Sequence, residues 1–249
     1  ESWCGGRRAD DDDRPRDAAR CGDQPLLSNV YLHYVFDLWA NQWRHRHARG
    51  EMIIVRYADD IVVGFQFKSD AERFRADMGD RLGRFDLALH PDKTRLIEFG
   101  RFAAKSRRER GEGKPETFDF LGFTHIAGTS RTGYFQLQRK TRADRMRAKL
   151  KDIKEALKHR WHMSAAEQGQ WLEQVVGGYL AYHAVPTNGR SLQSFLHQVK
   201  VIWKSALHRR SQKDRTTWAR MDRLADTWLP KLRILHPWPV DRLVVKHSR

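Results

Sequence analysis

Two short apolar runs on either side of an acidic pair constrain the fold of this chain more than any other feature. Residues 52–57 (MIIVRY) and 61–65 (IVVGF) are rich in β-branched and aromatic side chains, and Ala58, Asp59 and Asp60 separate them. Two such runs joined by a short polar segment are typical of a β-hairpin. The sequence therefore predicts a hairpin with Asp59 and Asp60 at its tip.

The acidic pair at this tip has two interpretations. Aspartate is common in turns, so the pair on its own requires no function. Adjacent carboxylates also repel each other, and a divalent cation relieves the repulsion; hard oxygen ligands suit Mg²⁺. In phosphoryl transfer, two such ions hold the attacking and leaving oxygens. On these residues alone both interpretations of Asp59 and Asp60 stay open.

Apolar periodicity predicts helices on both sides of the hairpin. From Pro25 onward the spacing predicts a helix over residues 26–46. Its apolar face is formed by Leu27, Val30, Tyr31, Tyr34 and Leu38. Ser69 and Glu72 have the spacing of a capping box and predict the start of a second helix over residues 70–86.

The next stretch of the chain reads as strands and a loop, and then as helices only. We predict strands over 95–99, 117–126 and 133–139, and a charged loop over 101–116. Beyond residue 140, periodic apolar residues predict four helices, one of them opened by the capping box Ser164 and Glu167. Five tryptophans fall at helical core spacing and are interpreted as packing rather than base stacking: Trp161, Trp171, Trp203, Trp218 and Trp228. Pro230, Pro237 and Pro239 end the regular structure.

Positive charge is concentrated in the second half of the chain. Lys and Arg number 47 against 31 Asp and Glu, and residues 139–249 hold 24 basic and 9 acidic residues. Such a surplus favours a polyanionic partner, nucleic acid first and an anionic membrane surface second. Two clusters stand out, one at a predicted helix start (Arg139, Lys140, Arg142, Arg145, Arg147, Lys149) and one further on (Arg209, Arg210, Lys213). A single cluster of this kind is often only a solvated surface, but the total surplus favours RNA contact.

Several classes of protein are disfavoured by the composition. Cys4 and Cys21 form no Cys-x-x-Cys pair, so neither a zinc site nor a disulfide framework is indicated. The apolar runs are too short to span a bilayer, and we expect a soluble cytoplasmic protein without a membrane partner. Residues 1–24 predict a disordered tail. The alternative there, a metal site built on the acidic run 10–13, lacks structured neighbours.

The hairpin and several other segments carry a family resemblance. Residues 57–60 (YADD) between the two apolar runs resemble the catalytic hairpin of reverse transcriptases. Further segments, in the same order, resemble group II intron reverse transcriptases and maturases. They are 25–32 (PLLSNVYL, start of a palm helix), 90–94 (HPDKT, a palm motif), 118–123 (FDFLGF, the primer grip), and 168–171 and 178–182 (QGQW and GYLAY, the thumb).

The resemblance implies an α+β fold and a polymerase activity. It implies an incomplete palm, an antiparallel sheet with helices, over 25–139, and an all-α basic thumb or maturase bundle over 140–230, with tails at 1–24 and 231–249. The implied activity is RNA-directed DNA polymerisation with Mg²⁺. The implied partners are template RNA, intron RNA, a DNA primer and deoxynucleotides.

The resemblance also implies roles for individual residues. Asp59 and Asp60 would hold the Mg²⁺ ions, and Tyr57 and Ala58 would lie against the template–primer. Lys93 would lie near the nucleotide phosphates and protonate the leaving pyrophosphate; the alternative is an ordinary surface lysine. Four residues would position the primer end, with core packing as the competing or additional role of the two phenylalanines: Phe120, Leu121, Gly122 and Phe123.

The sequence departs from the family pattern before the hairpin helix. The fingers region, the palm strand with a third catalytic aspartate and the Gln-Gly nucleotide-binding loop have no counterpart in residues 1–24, and no cysteine follows Cys21 to form the zinc-containing endonuclease domain. We therefore expect a truncated or frameshifted copy whose two carboxylates hold Mg²⁺ weakly. Three alternatives stay open: a polymerase, an RNA-binding splicing module without polymerase activity, and a non-functional remnant.

Overall fold

The computed structural model describes residues 26–209 and 216–238. The chain divides into two compact units between Leu96 and Ile97. Unit one comprises the described residues up to Leu96, and unit two those from Ile97 onward. The tail predicted over 1–24, with its acidic run, lies outside the described residues.

Unit one begins with the predicted helix. Helix α1 spans residues 26–47 and contains a π-helical segment, His33–Asp37, followed by an α-helical segment, Leu38–His47. The residues predicted to form its apolar face are exposed in this unit (Leu27, Val30, Tyr31, Tyr34 and Leu38). A second apolar set on the same helix is buried instead (Val35, Phe36, Ala40 and Trp43). The second set is buried because it packs against residues that lie further along the chain, Phe74 among them.

The predicted hairpin is confirmed. Strand β1 (Met52–Tyr57) pairs antiparallel with β2 (Asp60–Phe65), and Tyr57 lies opposite Asp60. The inner face of the hairpin packs against helix α1 and helix α2 (Lys68–Gly83). Phe74 of α2 is at the centre of this core, with its ring centroid 5.0 Å from that of Trp43 and 5.3 Å from that of Phe65.

The capping box predicted at the start of α2 is wrong. The residue before the helix is Phe67, which makes no side-chain cap, and Ser69 lies inside the first turn. The buried Asp70 carboxylate accepts hydrogen bonds from the backbone N–H groups of Arg49 (2.8 Å) and Gly50 (3.3 Å). The first turn of α2 therefore fixes the entry into β1 instead of capping itself.

Two predictions around residue 100 are wrong. Residues 94–99 form no strand, and within the described residues no neighbouring strand supplies the hydrogen bonds that a strand requires. The predicted charged loop contains a helix, α3 (Ala103–Glu109). Its charges are paired locally: Arg107 contacts Glu112 and Glu116, and Arg110 contacts Glu98 and Glu112.

A three-stranded antiparallel sheet follows, in the order β3-β4-β5. The strands are β3 (Phe118–Phe120), β4 (Phe123–Thr129) and β5 (Phe135–Thr141). The single strand predicted over 117–126 is broken by a turn at Leu121 and Gly122, whose φ angles are 48° and 76°. Positive φ at both central residues is the requirement of a type I′ hairpin turn.

The four helices predicted beyond residue 140 are confirmed: α4 (Ala143–His159), α5 (Ala165–His183), α6 (Gly189–His208) and α7 (Trp218–Trp228). At the start of α5 both hydrogen bonds of the Ser164 and Glu167 capping box are present: each residue's side chain accepts from the other's backbone N–H. Completely buried residues from all four helices form one core, including Ile153, Leu157, Leu172, Val176, Leu192, Phe195, Val199, Trp203 and Met221. Across the described part of the chain, no helix is both long and apolar enough to cross a bilayer.

The prediction for the tryptophans holds for three of the five. Trp203 is completely buried, and Trp171 and Trp228 pack against the same core. Trp161 and Trp218 are 57% and 49% exposed, so their predicted packing role is wrong. Trp161 follows the end of α4, and Trp218 is the first residue of α7, where the helical repeat no longer places a side chain toward the core.

The sheet and the helices belong to one unit because buried polar contacts join them. The Asn188 side chain accepts from the Thr141 N–H (2.9 Å) and donates to the Thr141 hydroxyl (2.8 Å) and the His183 carbonyl (2.9 Å). Thr187 accepts from the Arg139 N–H at 2.9 Å. The compact units therefore divide at residues 96 and 97, whereas the sequence placed its functional boundary at 139 and 140, and the latter stays a prediction.

Candidate nucleic-acid and metal site

The hairpin tip presents its acidic pair to solvent. Ala58 and Asp59 form the two-residue loop, and Asp60 is the first residue of β2. Ala58 has a φ of 52°, in the left-handed region that the tight loop requires. Asp59 and Asp60 are exposed, and the Tyr57 ring beside them is 65% exposed. The two aspartates predicted to hold the metal therefore stand together at an open surface.

Arg56 anchors this tip to helix α1. Its Nε and Nη2 donate to the two carboxylate oxygens of Asp37, both at 2.7 Å. Its Nη1 donates to the Ala58 carbonyl and to the Asn29 side-chain oxygen, each at 3.0 Å. One guanidinium therefore fixes the strand end, the loop and the helix relative to each other.

The roles of Arg56 and Asp37 were missed in the sequence. The signal was present, because a charged residue inside an apolar strand needs a partner. The Arg56 hydrogen bonds lower the pKa of the Asp37 carboxyl, and the Asp37 carboxylate in turn raises the pKa of Arg56. Since Asp37 neutralises Arg56, this cation does not cancel the charge of Asp59 and Asp60.

The carboxylate oxygens at the tip are suitable ligands for a hard cation, but two carboxylates are too few to complete its coordination. Carboxylate oxygens are the ligands that Mg²⁺ prefers. Within residues 26–209 and 216–238, no group of three or more His, Cys, Asp or Glu side chains could hold a metal. Asp59 and Asp60 can thus supply part of a coordination sphere, and water or a phosphate must complete it.

Lys93, predicted to act on the phosphates, lies in the turn after His90. Its backbone N–H donates to the His90 carbonyl at 3.3 Å, and its side chain is exposed. Among the described residues the structure shows no contact between Lys93 and the acidic pair. The structure therefore brings Tyr57, Ala58, Asp59 and Asp60 together and leaves Lys93 apart from them.

The predicted primer-grip segment is a rigid turn held by helix α5. The Tyr182 hydroxyl donates to the Leu121 carbonyl at 2.9 Å, and the Arg142 N–H donates to the Gly122 carbonyl at 3.1 Å. The buried Phe123 ring stacks against Tyr182, with centroids 5.7 Å apart. Phe123 is therefore a core residue, and Leu121 and Gly122 form the outward turn. Tyr182 belongs to a segment noted in the sequence, but its clamping role was missed.

Burial changes the titration of three groups near this clamp. The ring of Tyr179 stacks between His183 (4.1 Å) and Phe195 (3.9 Å), and burial raises the pKa of Tyr179 to about 12. Burial also lowers the pKa of His183 and of His125. These groups are therefore uncharged at neutral pH, as expected of packing residues.

The first basic cluster is spread over three elements rather than one helix start. Arg139 and Lys140 lie on strand β5, which corrects the sequence prediction. Arg142 precedes α4 and forms ion pairs with Asp144 (2.7 Å) and Asp119 (3.5 Å). The other three members, Arg145, Arg147 and Lys149, lie on α4. In the second cluster Arg209 follows α6, and Arg210 and Lys213 lie outside the described residues.

Helix α4 carries an exposed basic stripe. Arg147, Lys151, Lys154 and Lys158 recur at helical spacing, and their side chains are exposed. Lys158 pairs with Glu155 at 2.9 Å. In the part of the chain that the structure describes, no ion pair engages the other three. The residues of α4 that pack into the core, such as Ile153 and Leu157, lie on a different face of the helix, so this stripe is available to a polyanion.

One comparison with known proteins identifies a related domain. Residues 24–125 match the family model described as Reverse transcriptase (RNA-dependent DNA polymerase). The match contains the hairpin, Lys93 and the turn at Leu121 and Gly122. No curated protein matches the chain.

Proposed function

We propose that this chain is part of an RNA-directed DNA polymerase of the group II intron reverse transcriptase and maturase type. The observation that carries the proposal is the exposed Asp59–Asp60 tip, which lies inside the residues that match the reverse transcriptase model. The tip is fixed by Arg56, and among the described residues no ion pair engages its two carboxylates. This is the surface expected of a group that binds a cation and a phosphate together.

In this proposal Asp59 and Asp60 hold Mg²⁺, which when bound stabilises the charge that develops on the transferred phosphate. Tyr57 and Ala58 lie against the template–primer, and Arg56 keeps the loop in one position through the Ala58 carbonyl. Leu121 and Gly122 position the primer end on a turn that α5 holds rigid. Lys93 donates a proton to the leaving pyrophosphate when the nucleotide is bound.

Primer extension on an RNA template tests this function. The chain, with deoxynucleotides and Mg²⁺, is expected to extend a DNA primer, and an Asp59→Ala, Asp60→Ala variant is expected to lose extension. Asp80→Ala removes another exposed carboxylate, from helix α2, and is the matched control, because it should extend as the unchanged chain does. Extension that survives the double substitution would contradict the proposed role of the tip.

A second candidate function is RNA binding without polymerisation, which the α4 stripe favours. Substitution of Lys151 and Lys154 by Gln is expected to weaken binding to an RNA oligonucleotide. If both contact phosphates, the slope of log affinity against log salt should fall by roughly 1.4. RNA binding that survives Asp59→Ala, together with no extension at any Mg²⁺ concentration, would support this function over the first. A chain that neither extends a primer nor binds RNA would be the non-functional remnant.

A further inference from the structure

Unit two contains a small cavity that the proposed function does not use. It lies between the β4–β5 hairpin and the first turn of α3 and has a volume of about 370 Å³. Its lining includes Arg101 and Ala104 on one side and Ala127, Gly133, Tyr134 and Phe135 on the other. Ligand pockets run from about 300 to 1,000 Å³, so this cavity suits a single flat ring rather than an extended molecule.

Two exposed aromatic rings, Tyr134 and Phe135, line this cavity. Tyr134 is 76% exposed and Phe102 is 70% exposed, the two highest values among the large apolar side chains of the described residues. Tyr134 and Phe135 line the cavity, and Phe102 follows the lining residue Arg101. The most exposed ring of the described residues, Tyr134, thus lines a cavity, which favours a partner that stacks on it.

The loop that carries Tyr134 is held by hydrogen bonds. The Ser130 hydroxyl accepts from the Tyr134 N–H at 3.1 Å, and the Ser130 N–H donates to the Tyr134 carbonyl at 2.8 Å. Gly133 has a φ of 84°, which allows the loop to close this tightly. The backbone below the ring is therefore ordered before any ligand arrives.

The charge at the cavity comes from an arginine that has no partner among the described residues. Its neighbours Arg107 and Arg110 are occupied by glutamates. Arg101 lines the cavity, is exposed, and forms no ion pair or hydrogen bond within residues 26–209 and 216–238. A free guanidinium next to an exposed ring is the combination that binds a base and its phosphate.

We propose that this cavity holds one unstacked base of a single-stranded nucleic acid, with its ring on Tyr134 and the adjacent phosphate on Arg101. The proposal rests on the proposed function for the presence of nucleic acid. Bases of a duplex are already stacked and cannot enter a cavity of this size, whereas a single strand can turn one base out. The small side chains of Ala104 and Ala127 leave the space that the ring occupies.

The test uses the full chain and a single-stranded RNA that contains one 2-aminopurine, whose fluorescence is quenched when the base stacks. The unchanged chain should quench the probe, and Tyr134→Ala should abolish quenching and weaken binding about tenfold. Tyr134→Phe keeps the ring and should keep quenching. Ala104→Leu, which fills the cavity from an exposed helical position, should abolish quenching without disturbing the fold.

Charge is tested separately with Arg101→Gln, which should weaken binding several-fold. Lys105→Gln removes the same charge from an exposed position on α3 outside the cavity lining, and it should bind as the unchanged chain does. A single-stranded DNA probe of the same sequence shows whether the cavity prefers RNA or DNA. Quenching with either strand supports the proposal.

Equal quenching by the unchanged chain and by Tyr134→Ala would overturn the proposal, and so would the absence of quenching with both strands. Neither result bears on the hairpin tip, because Mg²⁺-dependent primer extension by the same samples measures that function independently. A chain that quenches the probe but does not extend a primer would support the cavity and count against the polymerase.

Discussion

Gly169 has the ring of Trp228 packed where a side chain would be. A β-carbon on this buried residue would lie 2.4–2.8 Å from three atoms of that ring. Gly169→Ala is therefore expected to force α5 and α7 apart and to lower the free energy of unfolding by about 1–3 kcal/mol. Urea denaturation followed by tryptophan fluorescence measures the change.

Gly178 is the matched control on the same helix. A β-carbon at this exposed residue would have no atom within 4 Å. Gly178→Ala should raise the free energy of unfolding by up to about 1 kcal/mol, because alanine favours helix. If Gly169→Ala and Gly178→Ala changed the free energy of unfolding in the same direction, the close packing of Trp228 would not be the reason for glycine at position 169.

Asp37 gives the hairpin anchor a pH dependence. Because the folded pKa of its carboxyl lies below the unfolded value of 3.8, the unfolded chain binds the proton first as pH falls. The stability that Asp37 contributes is thus present above pH 3.8 and is lost as pH falls through the folded pKa.

Comparison of the unchanged chain with Asp37→Asn isolates this contribution. The difference in unfolding free energy, measured by urea denaturation, should be constant from pH 7 to about pH 5 and shrink below pH 4. Since the Asp37 side chain is 30% exposed, the difference should be small, about 1 kcal/mol. A difference that grows as pH falls would contradict the assignment.

Two segments with the same Ser-x-x-Glu spacing show what the sequence could and could not predict at the scale of residues. Ser164 and Glu167 form the predicted capping box, whereas Ser69 and Glu72, at the same spacing, do not. Asp70, one residue after Ser69, binds the backbone before β1, and the helix starts earlier as a result. That contact spans 21 residues, and local spacing carries no information about it.

At the scale of elements, the turn at Leu121 and Gly122 decides the geometry of the predicted primer grip. A β-carbon on Gly122 would have no atom within 4 Å, so glycine is needed there for its φ of 76° and not for space. Gly122→Ala should lower the free energy of unfolding by about 1 kcal/mol. Gly122→Asn should cost less, because asparagine tolerates this region. If urea denaturation gave the same loss of unfolding free energy for both variants, the φ angle would not be the reason for glycine at position 122.

The β1–β2 hairpin was predictable because it is encoded locally, by two β-branched runs with a tight turn between them. The strand predicted over 95–99 does not form, since a strand also needs a partner and none of the described strands pairs with it. Similarly, the buried face of α1 was predicted wrongly because the helix carries two apolar sets. Contacts with residues distant in sequence, such as Phe74 of α2 with Phe36 and Trp43, select between them.

For the molecule as a whole, the predicted metal-binding carboxylates and the basic stripe lie in different compact units. The acidic tip belongs to unit one, and the α4 stripe belongs to unit two together with the predicted primer-grip turn. The sequence located each of these groups, because carboxylate pairs and basic runs are visible without a structure. Arg56, Tyr182 and Asn188, which hold them in place, became visible only through contacts between elements.

The central claim is that Asp59 and Asp60 bind the cation with which the chain extends a primer. The most direct measurement is the rate of primer extension on an RNA template as a function of Mg²⁺ concentration. We predict extension that rises with Mg²⁺ well into the millimolar range, as weak binding by two carboxylates requires, and that is absent from the Asp59→Ala, Asp60→Ala variant. No extension by the unchanged chain at any Mg²⁺ concentration, or equal rates in the two proteins, would contradict the claim.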